Sequence, residues 1–180
     1  MGKKKLGTVW LGGCSGCHMS LLDIDERILE VAKLADIVKC PVVDGKEFPE
    51  VDIALVEGAV TSDEHYKELL HIRKQSKLVI AFGDCAVMTN VTGMRNYFNL
   101  KDVFETAYVN AISNDNEGKV PGNPFLLKLN DKVVPLQEVV DVDFVIPGCP
   151  PDADTIFYVL NEFLNDRRPD LSQAKKLKYG

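Results

Sequence analysis

The chain reads as an α/β protein built on an open, mostly parallel sheet with helices on both faces. Two observations predict this. Short apolar runs of strand length alternate with segments whose apolar residues recur every three or four positions, the pattern of parallel strands joined by crossover helices. The runs are also continuously apolar, as suits strands covered on both faces. Composition agrees: 46% of the 180 residues are apolar and 27% charged, ordinary for a globular protein. That length suits one domain over residues 1–180.

Leu6 to Leu11 is the first strand, bounded by lysines and a glycine pair. Leu21, Ile24, Ile28, Val31 and Ala35 then mark one amphipathic helix. Asp36 to Cys40 is a second strand, stopped by Pro41, and Asp52 to Val56 a third, ending at Glu57-Gly58. Ser62 is placed to cap a helix whose first turn is acidic and whose apolar side is Tyr66, Leu69, Leu70 and Ile72. The fourth strand is Leu78 to Phe82, with a helix from Asp84 to about Asn90. Residues 93–137 are rich in Gly, Pro and Asn and lose the helical period. They read as an irregular, functional excursion containing a hairpin that turns at Asn130-Asp131. Val142 to Ile146 is the fifth strand, and a helix from Asp152 to Leu164 follows Pro150-Pro151. From about residue 167 the chain is a lysine-rich tail, mobile or docked on a partner.

The totals narrow the function classes. A net charge of −6 disfavours nucleic acid. Apolar runs fall short of the roughly 20 residues of a membrane span, and Lys3, Lys4 and Lys5 precede too short a run for a signal peptide. The expected location is cytoplasmic. Five cysteines in such a chain point to metal binding or thiol chemistry rather than to disulfides.

An apolar strand, then glycine, then cysteine is written three times. Val9-Trp10-Leu11-Gly12-Gly13 leads to Cys14-Ser15-Gly16-Cys17; Leu78 to Phe82 leads through Gly83-Asp84 to Cys85; Phe144-Val145-Ile146-Pro147-Gly148 leads to Cys149. Open α/β sheets gather functional groups beyond the carboxyl ends of their parallel strands. Cys14, Cys17, Cys85 and Cys149 are therefore expected on one rim, as ligands of one metal site. Cys40 lacks the preceding glycine and reads as a free, partly buried thiol. The residues leave three chemistries open: an iron–sulfur cluster, zinc, or thiol redox. One close pair plus two distant single cysteines fits a cluster better than the paired spacing of small zinc units, and Cys149-Pro150 echoes the cysteine–proline ending of ferredoxin motifs.

Together, Trp10-Leu11-Gly12-Gly13-Cys14-Ser15-Gly16-Cys17, Val56-Glu57-Gly58-Ala59-Val60, Phe82-Gly83-Asp84-Cys85-Ala86 and Ile146-Pro147-Gly148-Cys149-Pro150-Pro151 resemble the small subunits of nickel–iron hydrogenases, most closely the small hydrogenase subunit of soluble NAD(P)-linked bidirectional enzymes. The resemblance implies a flavodoxin-like fold and one proximal 4Fe-4S cluster on Cys14, Cys17, Cys85 and Cys149. It further implies a role in electron transfer between a large subunit, which holds the nickel–iron centre, and iron–sulfur and flavin diaphorase subunits that reduce NAD(P). No cysteine- and histidine-rich second domain follows, which implies a single cluster. The related subunit of quinone-reducing NADH dehydrogenase typically has adjacent cysteines at the first motif, where this chain has Cys14-Ser15. A structural zinc module is the rival from another class. A flavodoxin-like fold also raises FMN, although no sharp phosphate-binding signature is present. Near the cysteines, Glu57 is read as a partner of the cluster loop, a group on a proton route, or a plain loop carboxylate. His18 is read as an ordering group rather than a metal ligand, Asp84 as a helix N-terminal acid, and Trp10 as packing or interface.

Overall fold

The structure, a computed structural model, describes residues 2–114 and 118–173. Its strands are β1 (Lys4–Trp10), β2 (Ala35–Lys39), β3 (Val51–Glu57), β4 (Val60–Ser62), β5 (Ser76–Phe82), β6 (Leu129–Val134) and β7 (Phe144–Ile146). Five of them form one sheet in the order β2-β1-β3-β5-β7, with every neighbouring pair parallel. Numbered among themselves these strands run 2-1-3-4-5, the flavodoxin-like order. The expected fold class is the observed one.

Continuous apolar strands cover both faces because successive side chains point to opposite sides. In β3, Ile53 and Leu55 join one buried cluster and Ala54 and Val56 the other; in β5, Ile80 and Phe82 part from Val79 and Ala81 in the same way. The helices are α1 (Gly16–Leu22), α2 (Ile28–Leu34), α3 (Asp63–Gln75), α4 (Asp84–Met88), α5 (Leu100–Phe104) and α6 (Ala153–Leu164). Leu21 of α1, Val31 of α2, and Ile156, Val159 and Leu160 of α6 bury against the first face. Leu69 and Ile72 of α3 and Ala86 of α4 bury against the second. Ser62 caps α3, accepting from His65 N, and Asp152 caps α6, accepting from Thr155 N. No described helix is long and apolar enough to cross a membrane.

Two local expectations are corrected. The helix read through residues 21–35 is two helices joined by a 3-10 turn over Asp25–Arg27. Asp25 sits at φ 53, a left-handed backbone that no α-helix accommodates. The hairpin at Asn130-Asp131 does not form, since both residues lie inside the continuous strand β6. That strand pairs antiparallel with β4, and Asn96 holds it by accepting from Val133 N and donating to Val133 O. The rest of the excursion is short helical turns: 3-10 over Asn90–Tyr97, then α5, then a π-turn over Glu105–Val109. Most of the lysine-rich tail lies outside the described residues, which end after a 3-10 turn at Leu171–Gln173.

Candidate metal centre

Strand register sets the site. Trp10 aligns with Glu57, Glu57 with Phe82, and Phe82 with Ile146, so four parallel strands end on one row. Each cysteine motif begins within a few residues of that row. The shared strand–glycine–cysteine pattern therefore brings all four cysteines to one rim.

Backbone bonds tie the loops together. Gly12 N donates to Ala59 O (2.9 Å) and Ala59 N to Gly12 O (2.8 Å), anchoring the Cys14–Cys17 loop to the end of β3. On the other side Gly83 N donates to Ile146 O (2.8 Å) and Asp84 N to Gly148 O (2.9 Å). Gly148 N returns a bond to the buried Asp84 carboxylate (2.7 Å). Asp84, read from sequence as a helix-start acid, also fastens the Cys85 loop to the Cys149 loop. Ser20 Oγ, from α1, donates to Pro151 O (2.5 Å) and closes the circle. Gly83 has a particular reason to be glycine. It takes φ 85, and a Cβ there would lie 2.1 Å from Cys17 Sγ.

Cys17 and Cys85 are buried, whereas Cys14 and Cys149 are exposed. Burial raises the Cys17 thiol well above its ordinary value, and the charges of Glu57, Cys85, Cys14 and Cys149 raise it further. Cys85 is raised by burial first and then by Cys149 and Cys14. The four sulfurs thus share one electrostatic neighbourhood. Among the described residues no group of three or more His, Cys, Asp or Glu stands close enough to hold a single metal ion. The donor set is four thiols, all of the type that iron–sulfur clusters take.

Glu57 is 2% exposed. Its carboxylate accepts from His18 N (3.0 Å) and Cys17 N (3.4 Å), and from the His18 ring at Nδ1. The ring of His18 is held edge-on between Trp10, at 5.6 Å, and Phe82, at 5.9 Å. Its Nε2 is buried with no hydrogen-bond partner among the described residues. The Glu57–His18 contact was not legible in sequence, because it depends on β1 and β3 ending level. Cys40 is half-buried at the end of the edge strand β2, on the wall of an apolar cavity of about 300 Å³. The cavity lining is mostly apolar, with His18, Thr8 and Ser15 as the polar exceptions.

The flavodoxin-like sheet with four cysteines on one rim is that of an oxidoreductase subunit. The chain belongs to the family described as NADH ubiquinone oxidoreductase, 20 Kd subunit, which it matches over residues 14–163. Within that family its relatives are hydrogenase subunits. It is 43% identical over 176 residues to the NAD-reducing hydrogenase HoxS subunit delta of Cupriavidus necator, covering 96% of this chain and 84% of that one. It is 44% identical over 175 residues to a subunit of the F420-non-reducing hydrogenase of Methanothermobacter thermautotrophicus, covering 96% of this chain and 57% of that one. The chain thus spans little more than half the length of such methanogen subunits. A crystal structure of NAD+-reducing [NiFe]-hydrogenase in the H2-reduced state contains a chain that superposes with a TM-score of 0.95 at 34% identity, covering 99% of both. The resemblance to small hydrogenase subunits is borne out.

Proposed function

We propose that this chain is the electron-transfer subunit of a soluble nickel–iron hydrogenase, holding one 4Fe-4S cluster on Cys14, Cys17, Cys85 and Cys149. When bound, such a cluster supplies one-electron transfer. The catalytic nickel–iron centre belongs to a large partner subunit, and diaphorase subunits with iron–sulfur and flavin groups reduce NAD(P). The observation that carries the reading is the four-cysteine rim, whose sulfurs feel one another's charge. Support for the enzyme class comes from the named relatives.

The chain's own residues have definite tasks in this reading. The buried Cys17 and Cys85 anchor the inner side of the site, and the exposed Cys14 and Cys149 meet its outer side. Trp10, Met19 and Leu22 stand exposed nearby and suit the contact with the large subunit. FMN is not assigned to this chain.

Anaerobic purification tests the reading. The expected protein is brown, with about four iron and four sulfide per chain, and it co-purifies with a larger nickel-containing subunit. Cys149→Ser lowers the iron content and Cys40→Ser leaves it unchanged. A colourless protein with one zinc, or equal iron loss in both variants, overturns it.

A further inference from the structure

The buried Glu57–His18 pair is not required to hold four thiolates. Its geometry nevertheless aims at them. Glu57 leaves the end of β3 and turns beneath the cysteine loop, where one carboxylate accepts three donors: Cys17 N, His18 N and His18 Nδ1. At 2% exposure water screens it little. Phe82 of β5 and Trp10 of β1 pack roughly perpendicular to the His18 ring. The charge reaches the cysteines, since Glu57 is among the groups acting on both Cys17 and Cys85.

Resting on the cluster reading above, we propose that Glu57 is a positioning residue that also sets the reduction potential of the group the cysteines hold, with His18 fixing its orientation and partly offsetting its charge. The direction follows from electrostatics. A fixed anion beside a redox group opposes the arrival of an electron, so it keeps the potential low; a hydrogen-bond donor to that anion works the other way. At an effective dielectric near 20, a unit charge about 10 Å away changes an equilibrium constant by roughly tenfold or more.

The test uses the full chain purified anaerobically, with iron content and a redox titration followed by electron paramagnetic resonance. Glu57→Gln keeps the shape and removes the charge. It is expected to retain iron and to favour the reduced state about tenfold, about 59 mV upward for a one-electron couple. Glu57→Asp, which keeps the charge, is expected to stay nearer the wild-type potential than Glu57→Gln does. His18→Phe fills the space between Trp10 and Phe82 but withdraws the donor, and its potential is expected to fall. If Glu57→Gln does not assemble, the His18→Phe titration decides. Retained iron with an unmoved potential in Glu57→Gln, or an unmoved or raised potential in His18→Phe, overturns this role and leaves the cluster assignment standing. Wild-type protein without iron removes the cluster assignment itself.

Discussion

At the residue scale the site depends on a few contacts between loops far apart in sequence. Gly83 is the sharpest. At φ 85, ψ 163 the backbone lies in an essentially glycine-only region that costs another residue about 1–3 kcal/mol, and the Cβ of Gly83→Ala would in addition overlap Cys17 Sγ. The variant is expected to lose stability by more than the backbone cost and to hold less iron, as a urea midpoint and an iron assay would report. The cysteines themselves were legible because each ends the same strand–glycine pattern. The Glu57 carboxylate was legible only as a candidate. Nothing in Val56-Glu57-Gly58 says that the side chain turns under the loop of Cys17 and His18.

His65 gives the molecule a pH response away from the site. Burial pushes its imidazole below the ordinary 6.5, against a smaller upward pull from Glu64, and its Nδ1 accepts from Thr61 N (3.4 Å). The folded state therefore favours the neutral ring. Its contribution is complete above pH 6.5 and is lost as pH falls below that value towards the lowered folded pKa, levelling off beneath it. Urea midpoints at pH 8, 6.5 and 5 are expected to fall more steeply for the wild type than for His65→Gln.

At the element scale, helix starts were read well and breaks were not. The acids after Ser62 announced α3, and that cap is observed. Asp152 does the same for α6, accepting from Thr155 N (3.1 Å) and Thr155 Oγ1 (2.6 Å). Asp152→Ala is expected to cost about 1 kcal/mol, the usual worth of an N-cap, without altering the iron content; thermal melting and the iron assay separate the two effects. The break between α1 and α2 hides in the backbone of one residue, Asp25, in an otherwise helical pattern. β4 escaped notice because it is three residues long and overlaps the cap of α3, and β6 was read as a hairpin. Strand β6 carries Asn130-Asp131, which resembles a turn until a distant partner strand and Asn96 take up its hydrogen bonds.

At the scale of the whole molecule, parallel strands that end level turn three separate motifs into one rim. A mostly parallel, covered sheet followed from the continuous apolar runs; the flavodoxin-like fold was only what the resemblance implied. The level ending did not follow from the runs, because register is set by pairing that no single segment contains. If the cysteines at the ends of β1, β5 and β7 hold the proposed cluster, they also predict a stability linkage. A group bound only by the folded rim stabilises the fold. Anaerobic removal of iron is expected to lower the melting temperature of the wild type, while the Cys40→Ser protein shows the same loss on removal.

The pairwise fastening of the loops carries a last consequence. Gly12 and Ala59 bind the β1 and β3 ends to each other, Asp84 and Gly148 bind the β5 and β7 ends, and adjacent strands join the two halves. None of these bonds involves a cysteine sulfur, so the frame does not depend on the charge the sulfurs carry. A site that gains and loses electrons works fastest when its surroundings have least to rearrange, as preorganised dipoles do. In the proposed electron-transfer role, this rim suits a low reorganisation energy, held by backbone bonds that would stay put while the charge inside them changes.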